Sequence, residues 1–292
     1  MATAEKRVVI SADPDSLTQA VADRFLDRVG TWGADGRTVH VGLAGGGIIG
    51  DVLTRLGAHP RVDAVDWSHV HFWWVDERFV PKGSEERNDA LARRAFLDRI
   101  SVPSANVHAI AAADETDDAE SAAAAYADEL AAFGSDGSAW PVFDICFLGV
   151  GSDGHIASLF PDRPEITLTD RAASAVHDSP KPPADRVTLT RPVINASKRV
   201  WMVLVGPDKS AALGLALAGA SYHSVPAAGA KGTRRTDPLH GRGDRRSGAA
   251  GAHRRPVLTG RSPRLARETQ KSGCLGIRSS AFRCRRRSVE VS

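Results

Sequence analysis

The segment from residue 148 to residue 161 reads Leu-Gly-Val-Gly-Ser-Asp-Gly-His-Ile-Ala-Ser-Leu-Phe-Pro and combines an acid, Asp153, with an imidazole, His155. The residues before it, 143–148, are apolar and are typical of a buried strand that ends in a glycine-rich turn. Ligands of open α/β sheets bind at such strand ends, where a histidine can exchange a proton near neutral pH. The segment therefore predicts acid–base chemistry, although these residues alone also fit a plain Asp-Gly turn beside a histidine.

A second glycine cluster, Gly45, Gly46 and Gly47, follows a predicted strand and opens a predicted helix. Its backbone N–H groups could bind a phosphate. With Gly50 the cluster also matches the letters of the dinucleotide fingerprint G-x-G-x-x-G, and Asp76 could then be taken for the acid that binds ribose. We favour a phosphorylated small molecule over a nicotinamide cofactor, because Asp76 heads a larger polar cluster than ribose binding needs. A glycine turn that only lets helix and sheet approach closely is the remaining alternative.

That polar cluster ends the apolar run 70–75 with Asp76, Glu77 and Arg78, and Asn88 follows shortly after. A salt-bridged strand end would give the same residue types. However, uncompensated buried charge is costly, and charged groups that collect at a ligand face are more often functional than a random surface triad. We therefore include Asp76, Arg78 and Asn88 among the candidate binding residues.

Three further cations, Lys181, Arg186 and Lys209, lie beside predicted strands. Lys209 falls just inside a predicted helix N-terminus, where an ammonium opposes the helix dipole and gains nothing locally. An anionic ligand would account for this placement, and arginine and lysine together suit a phosphate. Arg186 and Lys209 are thus a predicted phosphate pair, whereas Lys181 fits a solvated surface cation equally well.

Several other classes of chemistry lack their sequence motifs. The chain contains no G-x-S-x-G nucleophile elbow, no G-x-x-x-x-G-K-[ST] phosphate loop and no H-E-x-x-H zinc motif. The cysteines, Cys146, Cys274 and Cys284, show no paired metal spacing. The residues therefore indicate neither a zinc site nor a disulfide framework.

The elements that must position these residues alternate between short β-branched runs and helical patterns. This alternation predicts an α/β fold: a mainly parallel, Rossmann-like sheet with helices on both faces, in three layers. Strands are predicted at 7–11, 38–43, 70–75, 107–110, 143–148, 186–189 and 200–205, and helices at 14–29, 88–100, 119–133 and 208–217. No segment reaches the roughly 20 apolar residues of a membrane helix, so a cytoplasmic location is expected.

Charge divides the chain into two parts. Residues 1–230 contain 21 Lys+Arg and 31 Asp+Glu, whereas residues 231–292 contain 17 Lys+Arg and 4 Asp+Glu. The second part is poor in aromatic residues and shows no sustained period, which is typical of a segment that cannot bury a core. We expect a catalytic domain at 1–230 and an Arg-rich tail at 231–292 that is disordered or frameshifted and lacks a further strand.

Five motifs in order give the first part a resemblance to a known family. They are Gly-Leu-Ala-Gly-Gly-Gly at 42–47, Asp-Glu-Arg-Phe-Val-Pro at 76–81 with Asn88, the segment 148–161, Ser-Pro-Lys-Pro-Pro from 179 through to Thr190, and Gly-Pro-Asp-Lys at 206–209. This pattern resembles the 6-phosphogluconolactonases, in the group that also includes the glucosamine-6-phosphate deaminases. The Asp-Gly-His turn is shared with the deaminases, but Ser-Leu-Phe-Pro and Ser-Pro-Lys-Pro-Pro look like the lactonase branch.

The resemblance implies hydrolysis of 6-phospho-D-glucono-1,5-lactone to 6-phosphogluconate in the oxidative pentose phosphate pathway. His155 would act as general base, with Asp153 orienting its imidazole, and no metal or cofactor would be needed. The other candidates would bind the substrate: Arg78 the lactone or its developing charge, and Gly45, Gly46, Gly47, Arg186 and Lys209 the phosphate. Asp76, Asn88 and Lys181 would complete the substrate site.

The resemblance also sets the expected partners and the alternatives. The expected partner is a small sugar-phosphate lactone, with no specific nucleic acid and no membrane, and the oligomeric state is not predicted. One alternative is a sugar-phosphate enzyme like the glucosamine-6-phosphate deaminases. The other is an inactive, truncated homologue whose basic tail binds polyanions adventitiously.

Overall fold

A computed structural model describes residues 5–6, 8–134 and 137–241 of the chain. The strands and helices run in the order β1 (Glu5–Lys6), β2 (Val9–Ser11), α1 (Pro14–Ala34), β3 (Val39–Leu43), α2 (Gly47–Gly57), β4 (Val70–Trp74), β5 (Asp76–Arg78), α3 (Asn88–Ala95), β6 (Val107–His108), α4 (Ala119–Ala132), β7 (Ile145–Gly149), β8 (Ala173–Val176), β9 (Arg186–Leu189), α5 (Arg191–Ala196), β10 (Arg199–Val205), α6 (Pro207–Leu217) and β11 (Arg235–Gly241). Within these residues no helix has both the length and the apolar character needed to cross a membrane.

The main sheet is parallel throughout the strands that the structure describes. Its eight strands follow the order β1-β11-β10-β7-β3-β4-β6, and β2 pairs with β11. From β3 the chain first builds outward through β4 and β6, and then returns to the other side of β3 with β7. The strand order therefore reverses between β3 and β7, and ligands of open α/β sheets bind at such a switch point.

Helices cover both faces of this sheet, as the three-layer α/β prediction requires. Neighbouring residues of a strand point to opposite faces. On one face the ring of Phe72 lies 5.8 Å from that of Phe96, and on the other face the ring of Trp73 lies 5.2 Å from that of Phe133, which directly follows α4. The predicted fold class is confirmed.

A second, smaller sheet was not predicted. It is antiparallel and has three strands in the order β5-β9-β8. Only Val75 separates the end of β4 at Trp74 from the start of β5 at Asp76. Strand 186–189, expected in a mainly parallel sheet, belongs to this small sheet, where Arg186 pairs with Arg78. The predicted helix 88–100 is also shorter than expected, since α3 ends at Ala95 and a 3₁₀ turn, Leu97–Arg99, follows it.

The expectation that no strand follows residue 230 is wrong. Strand β11 lies between β10 and the N-terminal strands, inside the segment 231–292 that was assigned to a strandless tail. Leu239 is its one large apolar side chain, which explains why the sequence pattern missed it. The buried Asp237 is compensated by Arg24, at 2.5 Å. The main sheet therefore extends at least to Gly241, and the expected disorder or frameshift of the later tail falls on residues 242–292, outside the described part.

Candidate active site

The candidate residues meet in one cavity of about 270 Å³. It lies beyond the carboxyl ends of β3, β7 and β10, at the switch point of the main sheet, with the small sheet on one side. The sequence-predicted residues that line it are Gly45, Gly46, Gly47, Asp76, Arg78, Asn88, His155, Lys181, Arg186 and Lys209. Asp153 does not line the cavity but contacts His155 from behind.

His155 and Asp153 form a hydrogen-bonded pair. Nδ1 of His155 lies 2.5 Å from Oδ1 of Asp153, and the His155 side chain is 17% exposed. Burial alone would raise the pKa of Asp153, but its hydrogen bond from His155 and the positive charges nearby outweigh burial and lower it. An ionised carboxylate only accepts hydrogen bonds, so Nδ1 carries the hydrogen and donates it. The lone pair of the neutral ring is then on Nε2.

The protonation state of His155 suits a general base. Burial lowers the pKa of His155 below its ordinary value, Asp153 opposes this shift, and the charge of Lys181 adds to it. The imidazole is therefore neutral at neutral pH and can accept a proton at Nε2. It also packs on Phe160, with 4.7 Å between the ring centres, so the ring is held on one side by packing and at Nδ1 by Asp153.

The glycines of the 148–161 segment leave the space that this pair occupies. A Cβ atom on Gly151 would lie 2.1 Å from Nδ1 of His155 and 2.4 Å from Oδ1 of Asp153. Gly154 has a φ of +83°, a conformation that side chains rarely adopt. The turn is thus built around the acid and the imidazole, which argues against a plain Asp-Gly turn.

Lys181 reaches the same pair from the loop between β8 and β9. Its Nζ atom lies 3.1 Å from Nδ1 of His155 and 3.5 Å from Oδ1 of Asp153. Because Nδ1 already donates to Asp153, the ammonium acts on the ring mainly through its charge. Lys181 is therefore part of the cavity, and the interpretation as a solvated surface cation is not needed.

The Arg186 guanidinium forms hydrogen bonds to the loop that carries Lys181. Its Nε donates to the carbonyl of Pro183, its Nη2 donates to the carbonyls of Lys181 and Pro182, and its Nη1 donates to the hydroxyl of Ser158. These bonds use four of its five N–H groups. Arg186 lines the cavity, but it mainly holds the backbone of residues 181–183 in place.

Lys209 and the N-terminus of α2 also line the cavity. Within the described residues the Lys209 ammonium has no hydrogen bond or ion pair, unlike that of Lys181. Helix α2 begins at Gly47 without a side-chain cap, and its first N–H groups have no partner inside the helix. Lys209 and this helix start therefore offer a positive charge and unpaired donors to an anion in the cavity.

Asp76 belongs to a buried network and not to a surface salt bridge. Its Oδ2 accepts a hydrogen bond of 2.8 Å from the Ser158 hydroxyl, and its backbone carbonyl accepts one of 2.8 Å from the Asn88 amide. A Cβ atom on Gly45 would lie 1.7 Å from Oδ1 of Asn88. Gly45 thus lets Asn88 pack directly under the glycine turn, and Asp76 links the small sheet to it.

Arg78 lies where the small sheet meets this turn. Its Nη1 donates a hydrogen bond of 2.5 Å to the carbonyl of Glu86, and the side chain is half-buried at the cavity wall. It lines the cavity together with Asn88 and the N-terminus of α2, where its guanidinium can contact an anionic or carbonyl group.

Sequence reasoning missed two residues of the site, Ser152 and Ser158, and gave Glu77 of the polar cluster no role of its own. Ser152 lines the cavity, Ser158 binds Asp76, and Glu77 binds the backbones of Arg78 and Asn88. Ser152 and Ser158 both stand inside the 148–161 motif, which is the signal that could have found them. Across residues 5–6, 8–134 and 137–241, no group of three or more His, Cys, Asp or Glu side chains has a metal-binding arrangement.

Comparisons with known proteins agree on one family. The family described as glucosamine-6-phosphate isomerases/6-phosphogluconolactonase matches residues 12–237. The 6-phosphogluconolactonase of Streptomyces coelicolor is 42% identical over 234 residues, which is 79% of this chain and 90% of the relative. That of Mycobacterium tuberculosis is 42% identical over 231 residues, or 78% of this chain and 93% of the relative.

Solved structures agree with the sequence relatives. The 6-phosphogluconolactonase of Trypanosoma brucei has a TM-score of 0.69 at 27% identity and covers 82% of this chain and 97% of its own. That of Thermotoga maritima has a TM-score of 0.70 at 25% identity and covers 82% of this chain and 100% of its own.

Proposed function

The chain belongs to the glucosamine-6-phosphate isomerase/6-phosphogluconolactonase family, and on this premise we propose that it hydrolyses 6-phospho-D-glucono-1,5-lactone to 6-phosphogluconate. This places it in the oxidative pentose phosphate pathway. The observation that carries the proposal is the His155–Asp153 pair, which faces a cavity that Lys209 and the start of α2 also line. The pair suits proton transfer, and Lys209 with the helix start suits a phosphate.

The reaction begins with general base catalysis. Nε2 of His155 takes a proton from a water molecule while the water oxygen forms a bond to the lactone carbonyl carbon. The ring ester C–O bond then breaks, and the imidazolium returns the proton to the departing ring oxygen, which becomes a hydroxyl group. Asp153 holds the ring and stabilises the imidazolium through Nδ1. Such proton transfer contributes about 10²- to 10⁴-fold.

The remaining residues bind the substrate. The N–H groups at Gly46 and Gly47 and the Lys209 ammonium bind the phosphate. Arg78 binds the lactone or the negative charge that develops on its carbonyl oxygen. Asp76 and Asn88 shape the cavity wall, and Lys181 lies beside the general base His155.

Arg186 has a different role from the one expected from its charge. Since most of its N–H groups bind carbonyls of residues 181–183, it supports the Lys181 loop and contributes little to the phosphate. Lys209 is then the main phosphate cation. The expected phosphate pair is thus revised to Lys209 with the α2 N-terminus.

Two alternatives lose support. The curated relatives at 42% identity are named lactonases, whereas a deaminase structure in the same superfamily is 18% identical and shares the fold alone. The truncated homologue was inferred from a missing strand, and β11 is present. The cytoplasmic location and the absence of nucleic-acid partners stay predictions.

Substrate discrimination tests the proposal. The full chain is incubated with freshly generated 6-phosphogluconolactone, and hydrolysis is followed against the spontaneous rate. Glucosamine 6-phosphate is tested in parallel for ammonia release. We expect acceleration with the lactone alone, and ammonia release without lactone hydrolysis would contradict the proposal.

A further inference from the structure

Glu77 stands between the cavity residues Asp76 and Arg78 but turns away from the cavity. It is 1% exposed. Its Oε1 accepts two backbone hydrogen bonds of 2.7 Å, from the N–H groups of Arg78 and Asn88, and its Oε2 accepts one of 2.8 Å from Asp89. One buried carboxylate therefore holds the backbones of two residues that line the cavity.

Two of these bonds fix the start of α3. Asn88 and Asp89 are the first residues of the helix, and their N–H groups have no partner within it. The residue before them, Arg87, supplies no side-chain cap. Glu77 supplies the missing acceptors from the small sheet, and its negative charge suits a helix N-terminus.

The charged groups around Glu77 come from several elements. The Arg87 guanidinium, itself 2% exposed, lies 3.6 Å from Oε2. Tyr126 of α4 and Arg186 of β9 also interact with its charge, while the Asp89 carboxylate is bound to Arg93. Burial raises the pKa of Glu77 to about 7, and Arg87 and the backbone N–H groups oppose that rise.

Protonation would break this arrangement. An ionised carboxylate only accepts hydrogen bonds, whereas a protonated carboxyl must also donate one. The groups bonded to Glu77 are three N–H donors, with a guanidinium beside them, and none of them can accept a hydrogen bond. The added hydrogen therefore displaces one of them, and two of the three bonded N–H groups belong to Arg78 and Asn88.

We infer that Glu77 is a positioning residue, which holds Arg78 and Asn88 against the substrate through their backbone N–H groups. The inference rests on the proposed lactonase function, because these two residues line its cavity. Glu77 touches no substrate itself. Its loss or protonation should weaken substrate binding more than it slows the chemical step at His155.

The test is Glu77→Gln in the full chain, with KM and kcat for 6-phosphogluconolactone measured from about pH 5.5 to about pH 8, a range that spans the raised pKa of Glu77, about 7. The amide replaces one acceptor oxygen by a donor and removes the charge. We expect KM to rise about tenfold while kcat changes by less than about threefold, the scale of one charge-assisted hydrogen bond. The wild-type KM should rise as the pH falls through about 7, and the variant's KM should be flat there.

Two controls keep the result decisive. Glu165→Gln changes another buried glutamate, 7% exposed, that does not line the cavity, and it should leave KM unchanged. If Glu77→Gln does not fold by circular dichroism, Glu77→Asp keeps the charge and should show a raised KM that still depends on pH.

The outcomes separate the inference from the function. A wild-type chain without lactonase activity would overturn the proposed function. An active wild type with a folded Glu77→Gln variant of unchanged KM and pH profile would overturn the role of Glu77. A Glu77→Asp variant with the wild-type KM would also overturn the role of Glu77.

Discussion

The Lys181 ammonium lies 3.1 Å from Nδ1 of His155, the nitrogen that donates to Asp153. The imidazole therefore has a negative and a positive neighbour on the same side. Burial and the lysine charge lower the pKa of His155, and Asp153 raises it. The net effect keeps the ring neutral and leaves Nε2 free for the proton of a water molecule.

The pH profile should report this balance. The base works only when neutral, so kcat should fall as the pH drops through the lowered pKa of His155 and be fully present above it. In Lys181→Gln the ammonium is gone, the pKa of His155 rises, and the acid limb of kcat should move to higher pH. Stopped-flow assays corrected for spontaneous hydrolysis measure both profiles. If the acid limb of the kcat profile stays in place in Lys181→Gln, or moves to lower pH, Lys181 does not lower the pKa of His155.

Gly151→Ala tests whether the turn is built around the catalytic pair. Its Cβ atom would overlap both His155 and Asp153, so the pair must move. We expect kcat to fall at least about 10²-fold, the lower range of a lost general base, while the protein stays folded. Gly83→Ala is the matched control, since nothing lies within 4 Å of its Cβ position. Equal activity of the two variants would contradict the geometry.

The proposed phosphate site can be tested separately with Lys209→Gln. Loss of a charge that binds the phosphate should raise KM about tenfold or more and leave kcat nearly unchanged, because the base is intact. The control is Lys82→Gln, an exposed lysine paired with Glu115 away from the cavity. Steady-state kinetics at fixed ionic strength distinguish them. A lowered kcat with normal KM in Lys209→Gln would place this lysine in the chemical step instead.

The sequence located the strand-end residues well, for a physical reason. Apolar runs that stop at Asp76 or at Gly149 predict buried strands, and parallel strands bring their carboxyl ends to one edge. The small sheet was missed because β5 is only three residues long and polar, and no local pattern indicates its antiparallel pairing with β9. Strand β11 was missed because Leu239 is its one large apolar side chain, so the local sequence does not look like a buried strand. Pairing with strands on both sides places it inside the sheet all the same.

The role of Arg186 shows a second limit. Its residue type and position beside a strand predicted a phosphate ligand, and it does line the cavity. However, three carbonyls of the loop 181–183 occupy its donors, and loop backbone geometry is not encoded in a local pattern. The charge and position of Arg186 thus predicted that it lies at the cavity, but not that it binds these loop carbonyls.

The most direct test of the account is the rate of 6-phosphogluconolactone hydrolysis by the full chain and by His155→Ala. The lactone is generated in situ, and the spontaneous rate is subtracted. We predict that the wild type accelerates hydrolysis and that the variant, still folded, loses about 10²- to 10⁴-fold in kcat. A folded His155→Ala variant with wild-type kcat would contradict the assignment of His155 as the base.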